Sequence, residues 1–381
     1  MVATRMRILL VTPLFLPSLS GAAIYFETLS RSLVRLAPDA EVTILTRRVR
    51  GAPTSERRGA VRVLRLLPAA REDGGPALVE RARALAGAAI VLGVSWWLRS
   101  DVVHYHTLAS YRGLGLLAPL FRAPLVGDMR DLAARHEGAS LDRYRHCRLI
   151  VCASENIAAF LRAGGVPEDR LVHVPIPFAL PRRAAPDAVD AVRRRHGVEP
   201  AWRYALFVGA VIPYKGVREL VEAMEIVWRE MPGLHLVIAG GITPSGDAEF
   251  GGLRQRAASE PRLHVLGAVP HEEVLALIQG ADVFVLPSRT EGLPRSGLEA
   301  LALGVRVVLP AGIPEFERAC PEAILDAVEP RAIAGAILAA LRRGPSNYPV
   351  ESHDADVVAN RMLALYRRVA GAHAARPGRL L

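Results

Sequence analysis

Two carboxylates and a loop rich in Gly and Pro give the chain its clearest chemistry. The run Pro287-Ser288-Arg289-Thr290-Glu291-Gly292-Leu293-Pro294-Arg295-Ser296-Gly297-Leu298-Glu299-Ala300 follows an apolar strand-like stretch and leads into an apolar helical pattern. A carboxylate pair at such a place can work as general acid and base. Its setting argues for holding a ligand instead. Ser296-Gly297-Leu298-Glu299 has the form of a capping box, with Ser296 as N-cap and Glu299 reaching back to its amide. A carboxylate one turn into a helix can also accept hydrogen bonds from a ribose diol, so both readings of Glu299 hold together. Free amides around Gly297 and Leu298, beside Arg295 and Ser296, suit a diphosphate through unpaired N–H groups and the helix dipole. Glu291 lies in the loop, where capping does not account for it, and Gly292 lets the backbone approach a ligand closely.

Four other segments carry groups at strand ends. Lys215-Gly216 closes the loop after the strand Tyr204–Val208 and opens a helix. A solvated lysine is the ordinary outcome, but the C-terminal edge of a parallel strand is where open α/β sheets bind ligands. His104 and His106 alternate on one strand and face one side, yet no acidic residue completes a metal set at a recognisable spacing. His104 reads as a hydrogen-bonded core histidine and His106, at the strand end, as the functional one. Asp128-Met129-Arg130-Asp131 brings acid and base groups to another strand end, where Asp131 serves equally well as a helix cap. Gly21 opens the first helix and can approach a sugar or phosphate, but that turn lacks the G-x-G-x-x-G dinucleotide fingerprint.

Short β-branched runs alternating with amphipathic helices must position these groups. Strands are predicted at Ile8–Val11, Val42–Leu45, Val61–Leu66, Val102–His106, Leu125–Val126, Leu149–Ala153 and Val172–Val174, with helices through Ala22–Leu36 and Leu78–Leu98. A second alternation begins at Tyr204–Val208. Its helix face of Val217, Leu220, Val221, Met224, Val227 and Met231 has 3.6 spacing. Such alternation means βαβ units on parallel sheets, and Pro175, Pro177, Pro181, Pro186 and Pro200 punctuate the passage between the two sets. The expected fold class is α/β with two doubly wound Rossmann-like domains facing an interdomain cleft. Residues 1–178 form the first domain, 179–200 a linker and 201–352 the second domain. Residues 353–381 supply a helix returning toward the first domain, and a tail.

The 381 residues have globular composition and a formal charge of +10, with Lys and Arg scattered through helical segments. No aromatic strand platform accompanies them, so nucleic acid is not an expected partner. Cys147, Cys152 and Cys320 fit neither a disulfide framework nor a zinc site, which points to a reducing, cytoplasmic setting. The start resembles no signal peptide, and the apolar stretch Ala84–Leu98 falls short of the roughly 20 residues that span a bilayer. With Trp96 and Trp97 that stretch could meet the inner face of an anionic membrane, although a buried helix is the favoured reading.

Taken together, Pro13–Gly21, Asp101–His106, Phe207-Val208-Gly209 through Lys215-Gly216, and Pro287–Ala302 followed by Gly312-Ile313-Pro314-Glu315 resemble the retaining glycosyltransferases of family 4, which have the GT-B fold. The resemblance extends over nearly the whole chain. It implies a hexosyltransferase (EC 2.4 type) of retaining, metal-independent mechanism, taking a nucleoside diphosphate sugar as co-substrate with no cofactor. The acceptor would be a glycan, a lipid-linked molecule or a small molecule, attacking through a hydroxyl or amine. Donor contacts would come from Gly21, Gly209, Lys215, Glu291, Gly292, Leu293, Pro294, Arg295, Ser296 and Glu299, with Lys215 on the diphosphate, Glu299 on the ribose and Glu291 with its loop amides on the sugar. Lys215, Glu291 and His106 would act in catalysis, and His106, Asp128, Arg130 and Asp131 would face the acceptor. Three places depart from the pattern: Ala210 stands where a second cation is frequent, so that Lys215 must carry more or Arg295 substitute; Arg130 stands where a histidine is frequent; and Ile176-Pro177-Phe178-Ala179 replaces an Asn-Gly-Val-Asp-like turn before the linker. A sugar-nucleotide epimerase or hydrolase, or a degenerate binding protein, are the alternatives on the same architecture.

Overall fold

A computed structural model describes residues 5–17, 21–69, 77–106, 114–130, 141–144, 146–241 and 247–374. The chain divides into two compact units, Met1–Ala179 with Glu351–Leu381, and Leu180–Val350.

The first unit is built on eight strands, β1 (Arg7–Val11), β2 (Glu41–Arg47), β3 (Ser55–Arg58), β4 (Val61–Leu67), β5 (Val102–His106), β6 (Leu125–Met129), β7 (Leu149–Cys152) and β8 (Leu171–His173). Their order across the sheet is β3-β4-β2-β1-β5-β6-β7-β8, parallel except for β3. β1, β5, β6 and β7 are almost wholly buried, as parallel strands covered on both faces must be. On one face α1 (Gly21–Leu36) packs Phe26, Leu29 and Leu33 with Ile8 and Leu10. The C-terminal helix α12 (Ala355–Ala374) adds Val358, Met362 and Tyr366 to that same core. The opposite face is covered by α2 (Ala77–Trp97), through Ala88, Val91 and Val94, and by the short α3 (Leu114–Leu117) and α4 (Glu155–Ala163).

The second unit has five strands, β9 (Arg203–Val208), β10 (Leu234–Ala239), β11 (Leu263–Gly267), β12 (Val283–Val285) and β13 (Val307–Val308), in the order β11-β10-β9-β12-β13 and parallel throughout. Its helices are α5 (Pro186–Arg195), α6 (Val217–Glu230), α7 (Asp247–Ser259), α8 (His271–Gly280), α9 (Arg295–Ala302), α10 (Pro314–Ala319) and α11 (Pro330–Arg342). In both sheets the strand order reverses at the first strand. β1 lies between β2 and β5, and β9 between β10 and β12. Connections then leave to opposite faces of the sheet, and the crevice at that reversal is where doubly wound sheets bind ligands.

Three elements differ from the reading of the sequence. β3 is an antiparallel edge strand of sequence SERR, whose charges hide it from any apolar pattern. Residues 179–200 are no bare linker: α5 lies within them, and Arg193 donates to the carbonyls of Glu199 and Trp202. β6 runs on through Met129, which takes Asp128 into the sheet.

Candidate functional site

In the second unit the loops after β9 and β12 leave adjacent strands at the reversal point. Gly209 donates its N–H to Ala239 O at 3.0 Å, and a Cβ on Gly240 would stand 1.8 Å from Gly209 O, so the ends of β9 and β10 are pressed together. The loop then turns through Pro213–Lys215 and enters α6 at Gly216, whose φ of +68° is left-handed. A Cβ at Gly216 would meet Pro287 O at 2.2 Å. Arg289 N–H donates to Tyr214 O at 2.8 Å and ties the second loop to the first. These contacts bring Lys215 Nζ onto Glu291 Oε1 as an ion pair with both side chains largely buried.

Beyond that pair α9 begins at Arg295, with Pro294 as its N-cap and no side chain capping it. The first bond of the helix runs from Leu298 N–H to Pro294 O at 3.2 Å. The amides of Arg295, Ser296 and Gly297 therefore precede the hydrogen-bonded ladder, at the positive end of the helix dipole. Gly297 keeps the turn close to the core, since a Cβ there would stand 3.1 Å from Leu309 Cδ2. Glu299 is almost wholly buried, and its Oε1 accepts from Arg295 Nε at 2.8 Å with His271 Nε2 3.5 Å away. Glu299 Oε2 makes no hydrogen bond among the described residues.

Four sequence expectations change here. The capping box does not form: Ser296 lies inside the helix and its hydroxyl donates to Val208 O at 3.2 Å, while Glu299 turns to Arg295. The helix starts at Arg295, one residue ahead of Ser296, which puts Ser296 inside the first turn and leaves no place for that motif. Leu298 has spent its amide on Pro294 O, so the open amides are those of residues 295–297. Leu293 is 6% exposed and belongs to the core, and Pro294 has no N–H to offer. Arg295 is held by Glu299, so whatever substitution it makes for a cation at Ala210 is shared with that carboxylate.

The first unit gathers a polar cluster at the ends of β5 and β6. His104 is fully buried, with Nδ1 2.6 Å from the Tyr366 hydroxyl and Nε2 3.1 Å from Asp128 Oδ2. A carboxylate only accepts, so Nε2 carries the proton and Nδ1 accepts from Tyr366. Both ring nitrogens are thereby committed, which leaves His104 no lone pair for a metal. Asp128 Oδ2 also accepts from Arg130 Nε at 2.9 Å, and the Arg130 guanidinium lies 3.1 Å from the centroid of the Tyr25 ring. Burial alone would raise the Asp128 carboxyl, but the Arg130 charge and the His104 hydrogen bond outweigh it and bring it down to about 2. Burial pushes both the Tyr25 and the Tyr366 phenols far above their ordinary value, so each stays protonated.

His106 is 8% exposed, with its ring 6.1 Å from that of Phe26. Asp128, expected to face an acceptor, is instead wholly inside and joins His104 to Arg130. Gly21 opens α1, and Asp131 lies outside the described residues. Sequence reasoning missed Tyr25, Tyr366, His271 and Arg289. Tyr25 and Tyr366 sit on helix faces that look like plain core, and only contacts between distant segments reveal their polar ends.

The family described as "Glycosyl transferases group 1" matches residues 189–345, and "Glycosyl transferase 4-like domain" matches residues 20–177. The two matches together support a glycosyltransferase. They fall one in each compact unit, and the solved structures that the chain resembles share the GT-B fold. The chain is similar to sucrose-phosphate synthase from Thermosynechococcus elongatus, with a TM-score of 0.74 at 19% identity over 97% of this chain and 100% of that one. Anabaena HepE, solved in complex with UDP and glucose, has the same fold at a TM-score of 0.67 and 15% identity, over 97% of this chain and 100% of that one. A D-inositol 3-phosphate glycosyltransferase of Corynebacterium efficiens is 27% identical over 262 residues, which is 61% of this chain and 62% of that relative. The chain thus spans less than two-thirds of the length of the curated relatives it matches.

Proposed function

We propose that the chain transfers a hexosyl unit from a nucleoside diphosphate sugar to an acceptor hydroxyl or amine, with retention of configuration and without a metal ion. One observation carries the reading: the Lys215–Glu291 pair and the uncapped start of α9 meet at the ends of β9 and β12. Lys215 and the amides of residues 295–297 stabilise the diphosphate, which gains charge as it departs. The open Oε2 of Glu299 accepts from the ribose diol, while Glu291 and the backbone at Gly292 hold the sugar. The acceptor is held by the first unit, with His106 beside it. Its O–H attacks C1 on the face from which the C1–O phosphate bond breaks, and its proton passes to the departing phosphate oxygen. The complex of HepE with UDP and glucose supports a uridine nucleotide as the first donor to try.

The reading is tested by calorimetric titration with UDP-hexoses. Lys215→Ala and Glu299→Ala are each expected to weaken donor binding by about tenfold or more, as loss of a charge-assisted contact does. Unchanged donor binding in both variants would overturn it. Proton NMR of the product reads retention, and turnover unaffected by a chelator is expected.

The same reading includes peripheral contact with an anionic bilayer. Among the described residues no helix is long and apolar enough to cross a membrane. Trp96 and Trp97, 45% and 65% exposed at the end of α2, have the Arg122 and Arg62 guanidinium groups 5.1 and 5.7 Å from their rings. Tryptophan beside arginine suits the headgroup layer.

A further inference from the structure

We propose that the acceptor carries an oxyanion substituent, a phosphate or a carboxylate, and that Arg130 is the residue that grips it. The proposal rests on the transferase reading above and names the substrate class of its acceptor side.

The Arg130 side chain is 8% exposed, and a buried guanidinium is tolerated when its donors are used. Its Nε donates to Asp128 Oδ2 at 2.9 Å, and NH2 stands 2.8 Å from the same oxygen as an ion-pair contact. Among the described residues neither NH1 nor NH2 makes a hydrogen bond. A guanidinium has two fork-shaped donor edges, and Asp128 lies against the one formed by Nε and NH2, bonded through Nε. The Tyr25 ring lies over the cation's plane. What remains is the end fork of NH1 with the second hydrogen of NH2, the geometry that takes two oxygens of a phosphate or carboxylate side by side. A neutral hydroxyl would use one of these donors and leave the other buried and unpaired.

The setting holds that fork still. Asp128 is fixed by His104, and His104 by Tyr366 from the distant end of the chain. Such a buried backing layer spends polar contacts on fixing an orientation, as the supports of binding groups do. Arg130 follows β6 directly, beside β5 and His106, on the strand-end edge where this class of sheet takes ligands. Arginine rather than lysine fits the task, because a lysine would offer charge without the two-pronged geometry.

Two measurements on the full chain test this. Inorganic phosphate is titrated calorimetrically into the Lys215→Ala variant, in which the expected diphosphate site is disabled. Phosphate is expected to bind, and adding Arg130→Gln to weaken it by about tenfold or more, with Arg130→Lys in between. Absence of binding, or equal binding in all three, overturns the proposal whether or not any nucleotide sugar is a donor. The second measurement compares acceptors that differ in one group: hexose against hexose 6-phosphate, and hexose against hexuronate. A charged acceptor is expected to exceed its neutral counterpart by about thirtyfold in kcat/KM. Arg130→Gln should erase most of that margin through KM, and Arg130→Lys should restore part of it. The pair with the larger margin tells phosphate from carboxylate. Equal use of neutral and charged acceptors, or a uniform fall in kcat for all of them, overturns the assignment. Donor binding, measured separately, reports on the transferase reading itself.

Discussion

At the scale of single residues, titrating groups are set by what surrounds them. His353 is buried just before α12, and its Nδ1–H donates to Ile176 O at 3.0 Å. Loss of solvent holds its imidazole down at about 4, against an ordinary value of 6.5, and the carbonyl bond offsets this only in part. The unfolded chain therefore binds a proton that the native one refuses between those values. Stability is full above pH 6.5 and is lost as pH falls toward 4, by about 2–3 kcal/mol. Denaturant melts at pH 7 and 4.5 should show that loss, and His353→Gln, which keeps a donor and removes the titration, should shrink it. The three cysteines are likewise buried: desolvation pushes the Cys147 and Cys152 thiols up to about 12 and Cys320 to about 11, so none is a ready nucleophile.

At the scale of elements, the loops that carry the site are held by backbone. Lys215 is legible in the sequence as a strand-end cation, but its partner is chosen by Gly216, the left-handed entry to α6, packed on Pro287 O. Gly216→Ala forces a Cβ into both an unfavourable φ and a backbone oxygen. A loss of at least about 2 kcal/mol is expected from thermal unfolding, with weaker donor binding as Lys215 is displaced. Helix α9 shows the limit of reading local motifs. Ser-x-x-Glu describes a capping box, yet the helix starts at Arg295, one residue ahead of Ser296, and Glu299 finds Arg295 one turn away instead. The charged edge strand β3 was illegible for a different reason: it shows no apolar period, while the Val189 and Val192 face of helix α5 was hidden among prolines and arginines.

At the scale of the whole molecule, the +10 charge and the exposed end of α2 bear on where the protein works. The favoured expectation of a buried helix holds for Ala88, Val91 and Val94 and fails for Trp96 and Trp97. Sedimentation with phosphatidylglycerol vesicles should carry the protein down at low salt and release it at high salt. Trp96→Ser with Trp97→Ser should weaken that binding, and failure to bind at low salt removes membrane contact from the proposed function. The sequence by itself determined the two α/β units, their parallel strands, and the strand ends at which Lys215, Glu291, Glu299 and His106 stand. Apolar periodicity and Gly/Pro punctuation are local, and local order is enough for these. Only tertiary structure decided which of those groups meet. The Lys215–Glu291 pair joins loops 76 residues apart, and the buried line from Tyr366 through His104 and Asp128 to Arg130 joins α12 to β5 across 262 residues. Partners so far apart are fixed by strand order and helix packing, which no local pattern records.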